Sequence, residues 1–254
     1  MTHASILDQI LNRVTELQAS GRISLCVFDL DSTLFNVTGR NRRIIRAFAA
    51  LEHVQEKYPE QAALLNRARF QETDWGIREA LMREGLQGTP EFFLEIREFW
   101  SQHFFSNNYL GEDRPYDGAV EYVQELHQAG CQIAYLTGRD EPRMGQGTRN
   151  SLKYWKFPDE SKGCRLILKP HQKLDDAEFK AQVIQTLAEP ENEFEEENAN
   201  GNKFDSIWFF ENEPINIYFV AKHIPSVQII FFDSTHSRRA EPPLHLPTIQ
   251  SYRR

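Results

Sequence analysis

The stretch ISLCVFDLDSTLF, residues 23–35, is an apolar run that carries two aspartates, Asp29 and Asp31, at its end. Two carboxylates this close repel each other and lose solvation wherever the site is dry. A structural loop could use one of the two aspartates as a helix cap, whereas a bound metal ion would offset the repulsion between both carboxylates. The stretch therefore predicts a buried strand that delivers an acid pair to the edge of a sheet, close to a metal.

The composition is that of an ordinary globular protein. The chain has 254 residues, of which 40% are hydrophobic and 26% charged, and this length suits one large domain or a core domain with an inserted module. No apolar run approaches the ~20 residues that span a bilayer. The N-terminus lacks a basic start followed by an apolar block, so a secretory signal is not expected. These features predict a soluble cytoplasmic protein without a membrane partner.

The cysteines and the net charge exclude two further classes. Cys26, Cys131 and Cys164 are widely spaced and sit in or beside apolar segments, so buried free thiols are favoured over a zinc site or a disulfide framework. The net charge of -8 argues against a dedicated nucleic-acid surface, which needs clustered Lys and Arg. A small anionic substrate stays compatible, since a local patch can overrule the global field.

Five short apolar runs are continuous rather than alternating: ISLCVFDLD, CQIAYLTGR, CRLILKP, SIWFFENEP and VQIIFFDS. Such runs are typical of strands covered on both faces. Helical patterns lie between them, one ending at Gly130 as a C-cap and one preceded by Asp175 in a capping-box-like start. The order of elements predicts an α/β fold, a Rossmann-like parallel sheet with helices on both faces.

Residues 36–114 break this alternation. They contain helical patterns at roughly 40–57, 60–85 and 89–105 and no convincing strand. We therefore predict an α/β core made of residues 1–35 and 115–254, with an all-helical cap, residues 36–114, inserted after the first strand. The Glu- and Asn-rich stretch 188–205 reads as a solvated loop, and its role and that of the C-terminal tail stay open.

Polar residues follow the strands of the predicted sheet, where open parallel sheets bind their ligands. They are Asp29 and Asp31 after the first run, Thr137, Gly138 and Arg139 after the second, Lys180 in the following helix, and Glu211, Asn212 and Glu213 after the SIWFF run. Oxygen ligands of this kind suit Mg²⁺, which favours one or two carboxylates with water or substrate phosphate.

In this order, DLDST at 29–33, TGR at 137–139, Lys180 and ENEP at 211–214 resemble the four motifs of the haloacid dehalogenase-like (HAD) hydrolases. The resemblance covers about 21–35 and 115–235. It implies that Asp29 is the nucleophile that forms an aspartyl-phosphate and that Asp31 is the general acid. It also implies that Thr137 bonds the transferring phosphoryl group and that Lys180 neutralises its charge.

The resemblance also implies that Mg²⁺ is held by Asp29, Asp31, Glu211 and Asn212. The candidates for substrate contact are Thr33, Gly138, Arg139 and Arg43, the last from the basic helix of the cap. Arg139 stays open between two roles, orienting the substrate and fixing its own loop. The last motif is Glu-Asn rather than the commoner Asp-Asp, which could weaken metal binding and leaves Glu213 as another possible ligand. Because Asp31 is present, phosphate esters are favoured over organohalides, since an alkoxide leaving group needs protonation and a halide does not.

Three further assignments stay open between a functional and a structural interpretation. Lys169, at the end of CRLILK, rivals Lys180 as the motif lysine. The arginines of GRNRRIIRAF are either a solvated helix face or an anion clamp over the substrate. The cap aromatics are expected to form its core rather than a stacking platform: Phe92, Phe93, Phe99, Trp100, Phe104 and Phe105.

The sequence thus predicts a Mg²⁺-dependent phosphatase acting on a small phosphorylated metabolite. Three alternatives remain: a phosphotransferase or phosphomutase of the same fold, a nucleic-acid end phosphatase, and a non-catalytic ligand-binding relative. The acidic balance and the cap count against the second of these. The substrate and the oligomeric state are not predicted.

Overall fold

The computed structural model describes residues 3–189 and 204–254 of the chain. The strands in these residues are β1 (Ser24–Phe28), β2 (Phe35–Asn36), β3 (Arg114–Pro115), β4 (Gln132–Asp140), β5 (Arg165–Lys169), β6 (Ser206–Glu211), β7 (Gln228–Phe232) and β8 (Thr248–Ile249). Within the described ranges, six of them form a parallel sheet in the order β5-β4-β1-β6-β7-β8. The predicted parallel α/β fold is confirmed.

The α-helices of the same residues are α1 (His3–Ala19), α2 (Thr38–Ala49), α3 (Glu52–Lys57), α4 (Pro59–Arg67), α5 (Gly76–Arg83), α6 (Pro90–Phe104), α7 (Ala119–Gln128), α8 (Glu141–Tyr154), α9 (Asp176–Ala188) and α10 (Pro214–His223). Short 3-10 helices span Asn107–Glu112 and Glu160–Lys162. The two helices identified by their caps are confirmed: Gly130 ends α7 with a φ of +92°, and the Asp175 carboxylate accepts from the amides of Ala177 and Glu178 at the start of α9.

Both faces of the sheet are covered, which explains why its strands are apolar without alternation. In β1, Cys26 and Phe28 pack on the side of α1 and α7, whereas Leu25 and Val27 pack on the side of α9 and α10. Every residue of β1 is buried. The sheet therefore sits between two layers of helices, and its polar groups are confined to the ends of the strands.

The position of β1 in the sheet decides where the site forms. Val27 pairs with Ala134 of β4 on one side and with Phe209 of β6 on the other. Because the three strands run parallel and in step, their carboxyl ends lie at the same edge of the sheet. This edge carries Asp29, which follows β1, Thr137 in the last part of β4, and Glu211 at the end of β6.

Residues 37–113 form a helical segment between β2 and β3, which pair with each other where the segment begins and ends. The segment contains a hydrophobic cluster of its own, built around Ile45, Phe48, Leu65 and Phe92. The sequence predicts three or four helices in this region, at roughly 40–57, 60–85 and 89–105, whereas the described residues contain five α-helices, α2 to α6. The first predicted helix breaks at Leu51, whose backbone is extended, and the second breaks over residues 68–75.

Three further expectations concern the C-terminal tail, the acidic stretch and membrane spans. The short strand β8 lies in the C-terminal tail and was not predicted. Most of the acidic stretch 188–205 lies outside the described residues. No helix in the described ranges is long and apolar enough to cross a bilayer.

Candidate active site

The acid pair of the opening stretch lies in a tight turn directly after β1. The backbone amide of Asp29 donates to the carbonyl of Phe210 at 3.0 Å, which extends the sheet pairing by one residue. The chain then turns through Ser32, whose φ of +64° is unusual for a residue other than glycine. Asp29 is buried, while the Asp31 side chain keeps 28% of its surface exposed. The turn thus aims both carboxyl groups at the edge of the sheet.

Lys180 is the cation that faces Asp29. It lies in the second turn of α9, and its ammonium donates to Asp29 Oδ1 and to Glu211 Oε2, each at 2.6 Å. Burial raises the pKa of Asp29 and Lys180 only partly offsets this, so the pKa of Asp29 lies at about 7. Burial would lower the pKa of Lys180, but the two carboxylates hold it above its usual range.

Asp31 belongs to a buried network of two acids and two arginines. Its Oδ1 accepts from Arg139 Nη2 at 2.5 Å and also from Arg40 Nη2. Both arginines turn to Asp113 as well: Arg40 Nε and Nη2 and Arg139 Nη2 each lie 2.9 Å from its carboxylate oxygens. Burial raises the pKa of Asp31, but the charges of Arg139 and Arg40 outweigh it and hold this pKa well below its usual range.

The segment after β6 is folded onto itself by hydrogen bonds. Glu211 Oε1 accepts from the backbone amides of Asn212 and Glu213, both at 3.0 Å, and Oε2 accepts from Asn216 Nδ2 at 3.2 Å besides Lys180. The Asn212 amide bridges the Thr33 hydroxyl at 3.1 Å and the Thr235 carbonyl at 2.6 Å. Glu213, the alternative ligand, accepts instead from the backbone amide of Ser237 at 2.9 Å.

These oxygen atoms can be tested against the requirements of Mg²⁺. Within residues 3–189 and 204–254, no group of three or more His, Cys, Asp or Glu side chains is arranged to hold a metal ion. The remaining donors are the Asp29 carboxylate and the amide oxygens of Asn212 and Asn216, which line one cavity. Asn216 Oδ1 is buried and has no hydrogen-bond partner in the described part of the chain. An all-oxygen set of low charge fits Mg²⁺, which completes its shell with water or substrate phosphate.

The cavity at this edge has a volume of about 210 Å³. Its lining includes most of the residues predicted from the sequence: Asp29, Asp31, Thr137, Gly138, Arg139, Lys180, Glu211, Asn212 and Glu213. A volume below the roughly 300 Å³ of typical drug-sized pockets suits a small ligand. The structure therefore gathers the nine residues around one small space.

Three residues of the sequence prediction lie elsewhere. Thr33 is fully buried and bonds Asn212 from behind the cavity. Arg43 is exposed on α2 and is not among the residues that line the cavity. The Lys169 ammonium binds Asp176 Oδ1 at 2.5 Å and the Leu174 carbonyl at 3.1 Å, so Lys180 is the lysine that meets Asp29.

Sequence reasoning missed several residues of the site. Arg40 was treated as one of a run of arginines, yet it is the fully buried member of that run, and Asp113 was not singled out at all. Trp75 and Phe105 line the cavity from the helical segment. Phe92, Phe99 and Trp100 do pack in the helical cluster as expected, whereas Phe93, Phe104 and Phe105 are not part of it. One indication of the role of Arg40 was present in the sequence, which is its position near the start of α2, only a few residues after the acid pair.

Comparison with known proteins agrees with this geometry. A family model described as haloacid dehalogenase-like hydrolase matches residues 23–193, more than half of the chain. No curated protein sequence gives a significant match.

Three solved structures share the fold. A candidate phosphatase from Clostridium difficile is 13% identical with a TM-score of 0.51, covering 90% of this chain and 94% of its own. A HAD-superfamily hydrolase from Ehrlichia chaffeensis is 11% identical, with a TM-score of 0.50 and coverages of 91% and 93%. CbbY from Rhodobacter sphaeroides, solved in complex with phosphate, is 17% identical, with a TM-score of 0.50 and coverages of 91% and 95%. The family match and the shared fold identify the chain as a member of the haloacid dehalogenase-like hydrolase family.

Proposed function

We propose that this protein is a Mg²⁺-dependent phosphatase that hydrolyses a small phosphoric monoester through an aspartyl-phosphate on Asp29. The observation that carries the proposal is the Lys180 ammonium, 2.6 Å from both Asp29 and Glu211, in a cavity that Asp31 and Thr137 also line. Attack of one anion on another requires such screening by a fixed cation. The structural neighbour CbbY, solved in complex with phosphate, supports phosphate binding on this fold.

In the first step, an Asp29 carboxylate oxygen attacks phosphorus and the bond to the ester oxygen breaks. The departing oxygen takes the bonding electron pair and a proton from the Asp31 carboxyl group. Thr137, whose side chain lines the cavity, donates its hydroxyl hydrogen bond to a phosphoryl oxygen. Lys180 stays beside the carboxylate and balances the charge of the approaching ester.

In the second step, water attacks phosphorus and the bond to Asp29 breaks, which releases inorganic phosphate. Asp31 takes the proton from this water and is ready to donate it in the next cycle. The contacts of Asp31 with Arg40 and Arg139 favour its carboxylate form, which is the form that this second step needs. For the first step Asp31 has to be protonated, so we expect the arginines to shift toward the phosphoryl group as substrate enters.

Asp29, Asn212, Asn216 and the main-chain carbonyl of Asp31 are the proposed holders of Mg²⁺. When bound, the ion would supply positive charge that screens the phosphoryl oxygens. Glu211 already accepts four hydrogen bonds, so it reaches a metal only by giving up one of them. Its main role in our proposal is to hold Lys180.

Residues 36–114 are proposed to act as a cap over the α/β core, residues 1–35 and 115–254. Trp75 and Phe105 of this segment line the cavity, so the segment limits what can enter it. A small phosphorylated substrate fits there, whereas a folded phosphoprotein or a nucleic-acid end does not reach Asp29 easily. The three free, buried cysteines support a reducing compartment, the cytoplasm.

The test is phosphate release from p-nitrophenyl phosphate by the wild type and by Asp29→Asn, with Mg²⁺ and with EDTA. We expect turnover that needs Mg²⁺ and that falls at least about 10³-fold in Asp29→Asn. Metal-independent turnover would contradict the metal assignment. Lack of turnover across a broad panel of phosphate esters would contradict the proposal and favour a non-catalytic binding protein.

A further inference from the structure

The cavity has a polar floor and an aromatic side. The floor comes from the strand ends and α9, whereas Trp75 and Phe105 come from the helical segment. Among the lining residues that the structure describes, these are the two aromatic side chains, and neither takes part in the chemistry proposed above.

Trp75 is held in place although its ring is exposed. Its backbone amide donates to Glu79 Oε2 at 3.0 Å, and Glu79 pairs with Arg238 of the core at 2.5 Å. The preceding residue, Asp74, is buried and accepts from the Gln71 amide at 2.6 Å. Trp75 nevertheless keeps 48% of its surface exposed. A fixed backbone that presents an uncovered tryptophan at a cavity is typical of a binding surface.

Phe105 has a complementary setting. Its ring lies 5.1 Å from that of Phe104 and 6.1 Å from that of Trp100, and the Arg143 guanidinium carbon lies 5.4 Å from its centroid. Phe105 is therefore half-buried against the helical segment while it lines the cavity. The Trp75 ring, in contrast, contacts no other aromatic ring of the described residues, so a ring from the substrate would be its first aromatic partner.

The charges of the lining restrict what else the leaving group carries. The cations of the lining are Lys180 and Arg139, and both are already paired with carboxylates. The lining also contains five acidic side chains, Asp29, Asp31, Asp176, Glu211 and Glu213. A leaving group with a further negative charge would meet this excess of acids and be repelled.

We propose that the leaving group of the substrate carries an uncharged planar ring that packs against Trp75 and Phe105. This inference rests on the proposed phosphatase function, because it places the phosphoryl group between Asp29 and Lys180. The small cavity, about 210 Å³, fits a phosphoryl group together with a single ring. Trp75 is then a specificity-determining residue that favours planar rings, since aromatic rings stack on planar partners better than on puckered ones.

The test compares benzyl phosphate with cyclohexylmethyl phosphate. The two esters have the same carbon skeleton and leaving groups of nearly equal basicity, and they differ in the flatness of the ring. We expect kcat/KM to favour benzyl phosphate by about 10-fold, as two aromatic contacts of ordinary strength imply. Benzyl phosphate with a carboxyl group on its ring should lose its advantage in kcat/KM over cyclohexylmethyl phosphate, because the acidic side chains of the lining repel the added charge.

Variants separate a stacking contact from a general loss of structure. Trp75→Leu, which keeps apolar bulk without a flat ring, should reduce the preference to about 3-fold, because the Phe105 contact remains. Phe93→Ala is the matched control, because Phe93 is also an exposed aromatic of the helical segment, at 42%, but does not line the cavity. It should leave the preference unchanged. Equal use of both esters by the wild type, or an unchanged preference in Trp75→Leu, would overturn the inference.

Binding is measured independently of turnover. In Asp29→Asn, benzyl phosphate should quench tryptophan fluorescence in a saturable way, and the quenching should be lost when Trp75→Leu is added. If the wild type hydrolyses neither ester but this quenching is seen, the ring site stands and the phosphatase proposal fails. If both esters are hydrolysed equally and no quenching is seen, the phosphatase proposal stands and the ring site fails.

Discussion

Replacement of Asp113 by alanine tests whether the buried charge network holds the helical segment to the sheet. Asp113 is fully buried and accepts hydrogen bonds at 2.9 Å from Arg40 Nε, Arg40 Nη2 and Arg139 Nη2. Without this carboxylate, two arginines that are at most 2% exposed share Asp31 as their acidic partner. The network joins α2, β4 and the segments after β1 and before β3, so its loss should be felt throughout the protein.

The expected cost follows from the burial of the charges. Removing one partner from a buried ionic network typically costs about 3–5 kcal/mol, because the remaining charge is left uncompensated. With a urea m-value of about 2 kcal/mol/M, this cost shifts the unfolding midpoint down by roughly 1.5–2.5 M. The measurement is urea unfolding followed by far-UV circular dichroism and tryptophan fluorescence.

The matched control is Asp117→Ala. Asp117 pairs with Arg253 at 3.2 Å, but the two side chains are 69% and 73% exposed, so this loss should cost less than about 1 kcal/mol. The double variant Asp113→Ala/Arg40→Met should be less destabilised than the sum of its single variants, since it removes one charge of each sign. If Asp113→Ala unfolds within 1 kcal/mol of Asp117→Ala, the network does not contribute in the way described.

Three further outcomes follow from the structure. Lys180→Gln should lower the kcat for p-nitrophenyl phosphate by about 10²–10³-fold, whereas Lys169→Gln, which changes a lysine bound to a different acid, should lower it less than about 10-fold. Gly118→Ala should destabilise the protein by more than about 2 kcal/mol in thermal unfolding, because Gly118 has a φ of +78° and a Cβ there would lie 2.7 Å from the backbone of the C-terminal tail. The control is Gly85→Ala, where φ is similar but the space around the Cβ is open. Its loss of stability should be about half that of Gly118→Ala or less. Burial raises the pKa of the Cys164 thiol to about 11, so little thiolate is present at pH 8. Labelling of Cys164 by a disulfide reagent in the native protein should therefore be very slow at pH 8 and faster as the pH approaches 11. Fast labelling of the native protein at pH 8 would contradict the burial of this thiol.

The prediction of the sheet succeeded because its cause is local in the sequence. A strand covered on both faces has an apolar middle without alternation, and β1, β4 and β6 each contain such a continuous apolar run. Polar residues that directly follow such runs emerge at the carboxyl edge of a parallel sheet. The convergence of Asp29, Thr137 and Glu211 was therefore predictable once the strands had been recognised.

The helical segment was harder to predict. Helical periodicity continues through short breaks, so it did not reveal the extended residue Leu51 or the turn in which the Asp74 carboxylate accepts from the Gln71 amide. Nor does it indicate which side of a short helix faces the sheet. For this reason the sequence suggested Arg43 as a substrate contact, whereas Arg40 is the arginine of α2 that turns inward to the acid pair.

By itself, the sequence determined the parallel sheet, the chain order of the four motifs and the edge at which they meet, because each depends on runs of neighbouring residues. Only the tertiary structure decided which lysine pairs with Asp29, that Asp113 completes a charge network with Arg40, and that Trp75 lines the cavity. These contacts join residues that lie tens of positions or more apart in the chain. A charge or an exposed ring acquires its partner through folding in three dimensions, and no local pattern records that partner in advance.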